Sequence, residues 1–222
     1  MSNKIPAIFW DMDGTMIDSE PEWGIATYEM SERFGRRLTP QLREKTIGGS
    51  VMNTMQICAE HAGLSLDDLD VALERRRLYA RVRELIADLT PLPGVRELLE
   101  AFQGTPMLVT TNTERELADA SIEAVGKHYF VGSVTSDEVA HPKPAPDMYL
   151  AAAQRVGVDP QDCLVFEDSW TGMTGATAAG CRVIGLADEA PAGAVSLREL
   201  HGTLSLEGVS ADQVRTWYER LR

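Results

Sequence analysis

The sequence predicts an α/β protein: a Rossmann-like parallel sheet with helices on both faces, interrupted by an inserted all-helical cap domain. Three observations predict it. Short apolar runs recur along the chain, among them "PAIFWD" (6–11), "PMLVTT" (106–111), "CLVFED" (163–168) and "RVIGL" (182–186). In the second half these runs alternate with helical patterns, which is the signature of a parallel sheet covered on both sides. Between residues 18 and 89 the signals are helical throughout.

Taken in order, "PAIFWD" is a buried strand ending on Asp11. "SEPEWGIATYEMSERFG" then has Pro21 near a helix start and Gly35 at its stop, with Trp23, Ala26, Met30 and Phe34 at near-helical spacing. "TPQLREKT" (39–46) repeats the Thr-Pro start, and "VMNTMQICAEHAG" (51–63) again ends on glycine. "SLDD" (65–68) is a capping-box pattern expected to open a long helix running to about Leu89. After "TPLPG" (90–94), the expected hinge on the returning side, comes the helix "VRELLEAF" and then the strand "PMLVTT". "TERE" (113–116) reads as the capping box of the next helix, "YFVGSVTS" (129–136) as a strand, and "PAPDMYLAAAQRVG" (144–157) as a helix. "CLVFED", the Gly/Ala-rich helix "TGMTGATAAG" (171–180) and "RVIGL" follow. "TLSL" (203–206) is expected to be an edge strand and "SADQVRTWYERL" (210–221) a closing helix with Val214, Trp217, Tyr218 and Leu221 on one face. The expected boundaries are therefore 1–17 and 90–222 for the α/β core and 18–89 for the helical cap.

The totals agree with one large domain or one domain carrying a smaller insert, since the chain has 222 residues. Apolar residues make up 44% and charged residues 25%, enough to bury a core. The formal net charge of −13 makes nucleic-acid backbones and anionic membranes poor partners. Cys58, Cys163 and Cys181 are odd in number and far apart, which fits a reducing compartment better than a disulfide framework. The N-terminus has no long apolar stretch, and the expectation is a soluble cytoplasmic protein. The oligomeric state stays open at this point, a monomer among the options.

In an open α/β sheet, ligands bind beyond the carboxyl ends of the strands. Four strand ends here carry chemically capable groups. The first gives Asp11-Met12-Asp13-Gly14-Thr15 and the second Thr110-Thr111-Asn112. The third is followed by "HPKPAPD", which supplies Lys143, and the fourth gives Glu167-Asp168-Ser169. If the strands are neighbours, one cleft gathers four or five acids, which repel unless a cation sits among them. Hard oxygen donors suit Mg²⁺. A divalent ion beside a hydroxyl, a lysine and free backbone N–H groups is a site for a phosphoryl group. One aspartate can then attack phosphorus and the other can handle protons. Thr113 with Glu116 is expected to serve the helix cap, which leaves Thr111 to the site.

With these residues assembled, the sequence resembles the haloacid dehalogenase superfamily, in its branch of helical-cap phosphatases and β-phosphoglucomutase-like proteins. "DMDGT", "VTTNT", "HPKPAPD" and "FEDSWTGMTGA" resemble its four motifs, in the family's order and over nearly the whole chain. The resemblance implies that Asp11 is the nucleophile and Asp13 the general acid/base. It implies that Asp11, the carbonyl of Asp13 and Asp168 hold Mg²⁺, with Glu167 binding it directly or standing just behind. Thr111 and Asn112 should bind the transferring phosphate, and Lys143 should balance its charge. Pro142 departs from the glycine this branch often has before the lysine. Asp13 argues against dehalogenase and phosphonate-cleaving chemistry, because those members lack the second carboxylate. The uncharged loop "TIGGSVMNT" (46–54) offers no cation for a second phosphate, which favours hydrolysis over a mutase. Glu20 in "DSEPEW" resembles sugar-phosphate phosphatases and can accept from substrate hydroxyls. Trp23 and the "IGGS" turn with Gly48, Gly49 and Ser50 are expected to meet the leaving group. For Trp23, packing between cap helices is an equal alternative. The run Arg75–Arg76–Arg77 reads as a solvated helix face. The expected function is a Mg²⁺-dependent phosphatase of a small phosphorylated metabolite, of the sugar or polyol phosphate class, with a phosphomutase or a non-catalytic binding protein on the same fold as alternatives.

Overall fold

The first apolar run forms the middle of the sheet. In the computed structural model, which describes residues 4–47 and 50–221, Ala7–Trp10 is strand β1 and all of it is buried. The helices α1 (Glu20–Arg33), α2 (Pro40–Glu44), α3 (Val51–Ala62) and α4 (Val71–Ile86) follow. The chain then continues through α5 (Val95–Ala101), β2 (Met107–Thr111), α6 (Arg115–Val125), β3 (Gly132–Thr135), α7 (Asp147–Val156) and β4 (Cys163–Glu167). It closes with α8 (Trp170–Ala178), β5 (Arg182–Gly185), β6 (Ala194–Ser196), α9 (Leu197–His201) and α10 (Ala211–Arg220). The fold class is the expected one: a six-stranded sheet, all pairs parallel, in the order β3-β2-β1-β4-β5-β6.

The chain divides into two compact units, Met1–Asp18 with Leu89–Arg222, and Ser19–Asp88. The first unit is a three-layer sandwich. Because successive strand residues point to opposite faces, Ile8, Trp10, Val109 and Phe166 pack under α5, α6 and α10, and Phe9, Leu108, Val165 and Val183 under α7 and α8. Trp10 stacks on Phe166 of the neighbouring strand, with ring centroids 4.3 Å apart. The second unit is helical. Trp23 of α1 meets Tyr79 of α4 edge-on at 6.4 Å. Arg81 pairs with Glu29 across the same two helices. Arg75 lies over the Tyr79 ring and Arg77 pairs with Glu74, so two members of the basic run stay on the helix that carries them. Among the described residues no helix is long and apolar enough to cross a membrane.

Several local expectations need correction. The "SLDD" box does form, but it closes a single 3₁₀ turn, Leu66–Asp68; the backbone then extends at Leu69, and Asp70 caps α4 separately. The box satisfies only the donors of its own turn. "TERE" does not cap α6, whose N-cap is Glu114 without a side-chain bond. "YFVGSVTS" becomes strand only at Gly132, because Lys127–Tyr129 closes a 3₁₀ turn first. "TLSL" is no strand: Leu206 is buried in the core, and Ser205 bonds locally to Glu207. The edge strand is instead β6, three residues too short to show a pattern, next to the equally short α9. The closing helix α10 is as expected, with a Ser210–Gln213 capping box.

Removing the Phe166 ring opens a void beneath Trp10 at the centre of the sheet. Phe166→Ala should cost about 3–5 kcal/mol, read as a lower midpoint in urea unfolding.

Candidate active site

The strand order reverses direction at β1: the chain runs outward through β2 and β3, then returns to place β4 on the other side of β1. Two carboxyl ends therefore meet at a topological switch point, where open α/β sheets bind ligands. Asp11 follows β1, with its N–H bonded to the Phe166 carbonyl of β4 at 3.0 Å. Asp168 follows β4. One carboxylate oxygen from each of Asp11, Glu167 and Asp168 lies within 4.8 Å of the others.

Between Asp11 and Glu167 stands Lys143. Its Nζ donates to Asp11 Oδ1 at 2.6 Å, to Glu167 Oε2 at 2.6 Å and to the Thr110 carbonyl at 2.9 Å. All three hydrogens of the ammonium are thereby used. The lysine comes from a turn closed by the Ala145 N–H on the Pro142 carbonyl. Asn112 grips that turn with both ends of its amide: Oδ1 accepts from the Lys143 N–H at 3.0 Å and Nδ2 donates to the Lys143 carbonyl at 3.2 Å. The Asn112 side chain, expected to bind phosphate, is thus engaged by the lysine's own backbone.

Glu167 is fully satisfied. Oε2 also accepts from the Tyr149 hydroxyl at 2.7 Å, and Oε1 accepts from the Ser169 N–H at 3.1 Å and the Ser169 hydroxyl at 2.7 Å. A β-carbon on Gly172 would fall 2.0 Å from this carboxyl group, which is why the first turn of α8 carries glycine there. On the other side, Gly14 has φ +89°, and a β-carbon on it would lie 2.1 Å from Asp168 Oδ2. The Asp11–Thr15 loop is folded against that acid, with Thr15 Oγ1 donating to Asp168 Oδ1 at 3.3 Å.

Thr111 is buried at the end of β2, and its hydroxyl oxygen accepts from the Thr113 N–H at 3.0 Å, so its own proton is still available to donate. Thr110 turns the other way, toward the Trp10 carbonyl. Thr113, read from the sequence as a helix cap, donates its hydroxyl to Asp13 Oδ2 at 2.8 Å. Tyr149, Ser169 and Thr113 are the polar contacts the sequence reading missed. Tyr149 carried a readable signal, lying six residues after Lys143 on the face of α7 that packs on the sheet.

Glu20, Trp23 and Ser50 belong to the helical unit. There Glu20 pairs with the buried Arg43, which also donates to Thr46, and the Ser50 hydroxyl caps α3 by accepting from the Asn53 N–H. Gly48 and Gly49 lie outside the described residues.

The electrostatics are those of crowded acids. Burial, followed by the Glu167 charge, holds Asp11 well above the usual carboxylate range despite Lys143. The same two causes push Asp168 from the ordinary 3.8 up to about 6. Burial works against the Lys143 ammonium, but Asp11 and Glu167 outweigh it and raise its pKa well above the usual value. Three carboxylates thus crowd one ammonium, which pairs with two of them, Asp11 and Glu167. An all-oxygen donor set with excess negative charge fits a hard divalent cation such as Mg²⁺. Asp11, Glu167 and Asp168 together could hold such an ion, and both oxygens of Glu167 are already engaged by Lys143, Tyr149 and Ser169.

Comparison with known proteins agrees with this arrangement. A model of the haloacid dehalogenase-like hydrolases matches residues 5–180. The chain belongs to this family. A fructose-1-phosphate phosphatase of Escherichia coli K12 is 36% identical over 183 residues, covering 81% of this chain and 95% of the relative. Hexitol phosphatase A of the same organism is 33% identical over 210 residues, covering 93% and 94%. Among solved structures, CbbY from Rhodobacter sphaeroides in complex with phosphate is similar with a TM-score of 0.78 at 25% identity, covering 95% of this chain and 99% of that one. By this kinship the haloacid dehalogenase-like chain is an enzyme of the phosphoric monoester hydrolase class.

Two outcomes follow. Gly172→Ala should cost about 1–3 kcal/mol in chemical unfolding, because the Glu167 carboxyl has nowhere to move. In metal-free protein the raised Asp168 contributes stability that is complete below the ordinary carboxylate range and is lost as pH rises through about 6. Thermal melts with and without Mg²⁺ should therefore show a metal-induced rise in Tm that is large at pH 7.5 and fades as the pH falls through about 6. A rise independent of pH would place the ion elsewhere.

Proposed function

We propose that this hydrolase is a Mg²⁺-dependent phosphatase of small phosphate monoesters, of the sugar or polyol phosphate class, working through a phosphoenzyme on Asp11. The observation that carries the reading is the buried Lys143 held between Asp11 and Glu167 at the switch point. The names of its two E. coli relatives support the substrate class.

Asp11 is the nucleophile. Lys143 fixes Oδ1, which orients the carboxylate and leaves Oδ2 to attack phosphorus, while the ammonium offsets charge on the phosphoryl oxygens. As the bond to the leaving oxygen breaks, Asp13 gives that oxygen a proton. Water then attacks the acyl-phosphate and returns a proton to Asp13, which frees phosphate and restores Asp11. Thr111 donates a hydrogen bond from its hydroxyl to the phosphoryl group. Asn112 serves through the loop it holds in place and through its backbone. Asp11, Asp168 and the Asp13 carbonyl would hold Mg²⁺, which when bound withdraws charge from phosphoryl oxygens. Glu167 acts by positioning Lys143. Glu20, Trp23, Gly48, Gly49 and Ser50 are assigned to leaving-group selection by the helical cap. Three free buried cysteines support a cytoplasmic location.

The test is a panel of phosphate monoesters together with p-nitrophenyl phosphate, with Mg²⁺ and after chelation. Sugar or polyol phosphates should give the highest kcat/KM, and chelation should abolish turnover reversibly. Asp11→Asn should leave no measurable activity, and Asp13→Asn should lower kcat on sugar phosphates by about 10²–10⁴-fold. Activity retained by Asp11→Asn, or turnover of a hexose 1-phosphate that requires a bisphosphate activator, would refute the proposal.

A further inference from the structure

Asp13 does not stand alone at the mouth of the sheet. Thr113, two residues beyond the end of β2, donates its hydroxyl to Asp13 Oδ2 at 2.8 Å. Its backbone is fixed in turn, since its N–H donates to Thr111 Oγ1 at 3.0 Å. Thr111 is itself buried and lies opposite Thr135 in the β2–β3 register. A rigid line of bonds therefore runs from β2 through Thr111 and Thr113 to one oxygen of Asp13. Its last link is β-branched and so restricted at χ1. Asn112, between the two threonines, bonds instead to the Lys143 backbone.

A threonine hydroxyl has one proton to give. The bond it makes here turns the Asp13 carboxyl to one orientation through Oδ2. We infer that Thr113 is a positioning residue for proton transfer, holding the Asp13 carboxyl in the orientation from which it protonates the leaving oxygen and later takes the proton of water. In the first step the Asp13 O–H bond breaks as the phosphorus–leaving-oxygen bond breaks, and the alcohol departs neutral. In the second, water loses a proton to Asp13 as its oxygen bonds to phosphorus. The Thr113 O–H bond stays intact throughout. The inference rests on the reading of Asp13 as general acid/base.

The leaving group supplies the discriminating experiment. An alkoxide needs a proton to depart, whereas p-nitrophenolate, weakly basic, needs almost none. A lost positioning contact should therefore harm the leaving-group step, which kcat/KM reports, selectively on sugar phosphates. Wild type, Thr113→Val, Thr113→Ser and Asp13→Asn are compared on p-nitrophenyl phosphate and on the sugar or polyol phosphate with the highest kcat/KM. Thr113→Val should lower kcat/KM on the sugar phosphate by about 10–10²-fold, a part of the full general-acid contribution. The effect on kcat/KM for p-nitrophenyl phosphate should be much smaller, any loss in the shared dephosphorylation step should lower kcat on both substrates alike, and Thr113→Ser should restore most of the loss. If the valine variant does not fold, as judged by thermal melting, Thr113→Ala carries the same expectation. An equal loss of kcat/KM on both substrates, or no loss on either, overturns the inference. Sugar-phosphate turnover surviving Asp13→Asn overturns the underlying assignment of Asp13 instead, and the two failures are told apart by that control.

Discussion

A buried ammonium shared by two carboxylates is the constraint around which this molecule is arranged. Lys143 has no water to turn to, so each of its hydrogens must meet an oxygen, and Asp11, Glu167 and the Thr110 carbonyl provide them. Those three acceptors sit at the ends of three adjacent strands, Asp11 just after β1, Glu167 on β4 and Thr110 on β2. The lysine therefore ties the middle of the sheet together at its carboxyl end, and its geometry depends on residues that never approach a substrate. Tyr149 and Ser169 complete the hydrogen bonding of Glu167, and Asn112 holds the lysine's backbone. Gly172 supplies the space that the Glu167 carboxyl fills.

The same crowding sets the chemistry. Acids placed this close are poorly stable as anions, which is why burial and mutual repulsion lift Asp11 and Asp168 together. A divalent cation held there would relieve that penalty, and in the proposed reaction Lys143 would offset part of the charge that a phosphoryl group brings.

Much of this was legible because the decisive residues stand at ends of apolar runs. "AIFWD" and "CLVFED" announce both the strand and the acid after it, and periodicity alone separates the helical stretch from the sheet-forming one. What escaped were places where one residue type serves two purposes. Thr113 has the spacing of a helix cap, but its hydroxyl goes to Asp13, and sequence distance gives no hint that a residue 100 positions away competes for it. "SLDD" forms its box, yet a capping box closes a turn whether or not a helix continues from it. "TLSL" alternates like a strand, but Leu206 is drawn under α5, where Gly94 lets the two backbones touch. The true edge strand, β6, has too few residues for any pattern to stand out.

The strand order has a consequence for when this protein becomes competent. Thr15 and Asp168, which meet through a hydrogen bond, are 153 residues apart in the chain, and Asp11 finds its acidic neighbours only once β4 has docked beside β1. A ribosome-bound fragment that has completed β1, β2 and β3 can pair those strands, yet it holds half a cleft. Long-range closure of this kind comes late, so the appearance of turnover during synthesis or refolding is a clock for the final assembly of the sheet rather than for its nucleation.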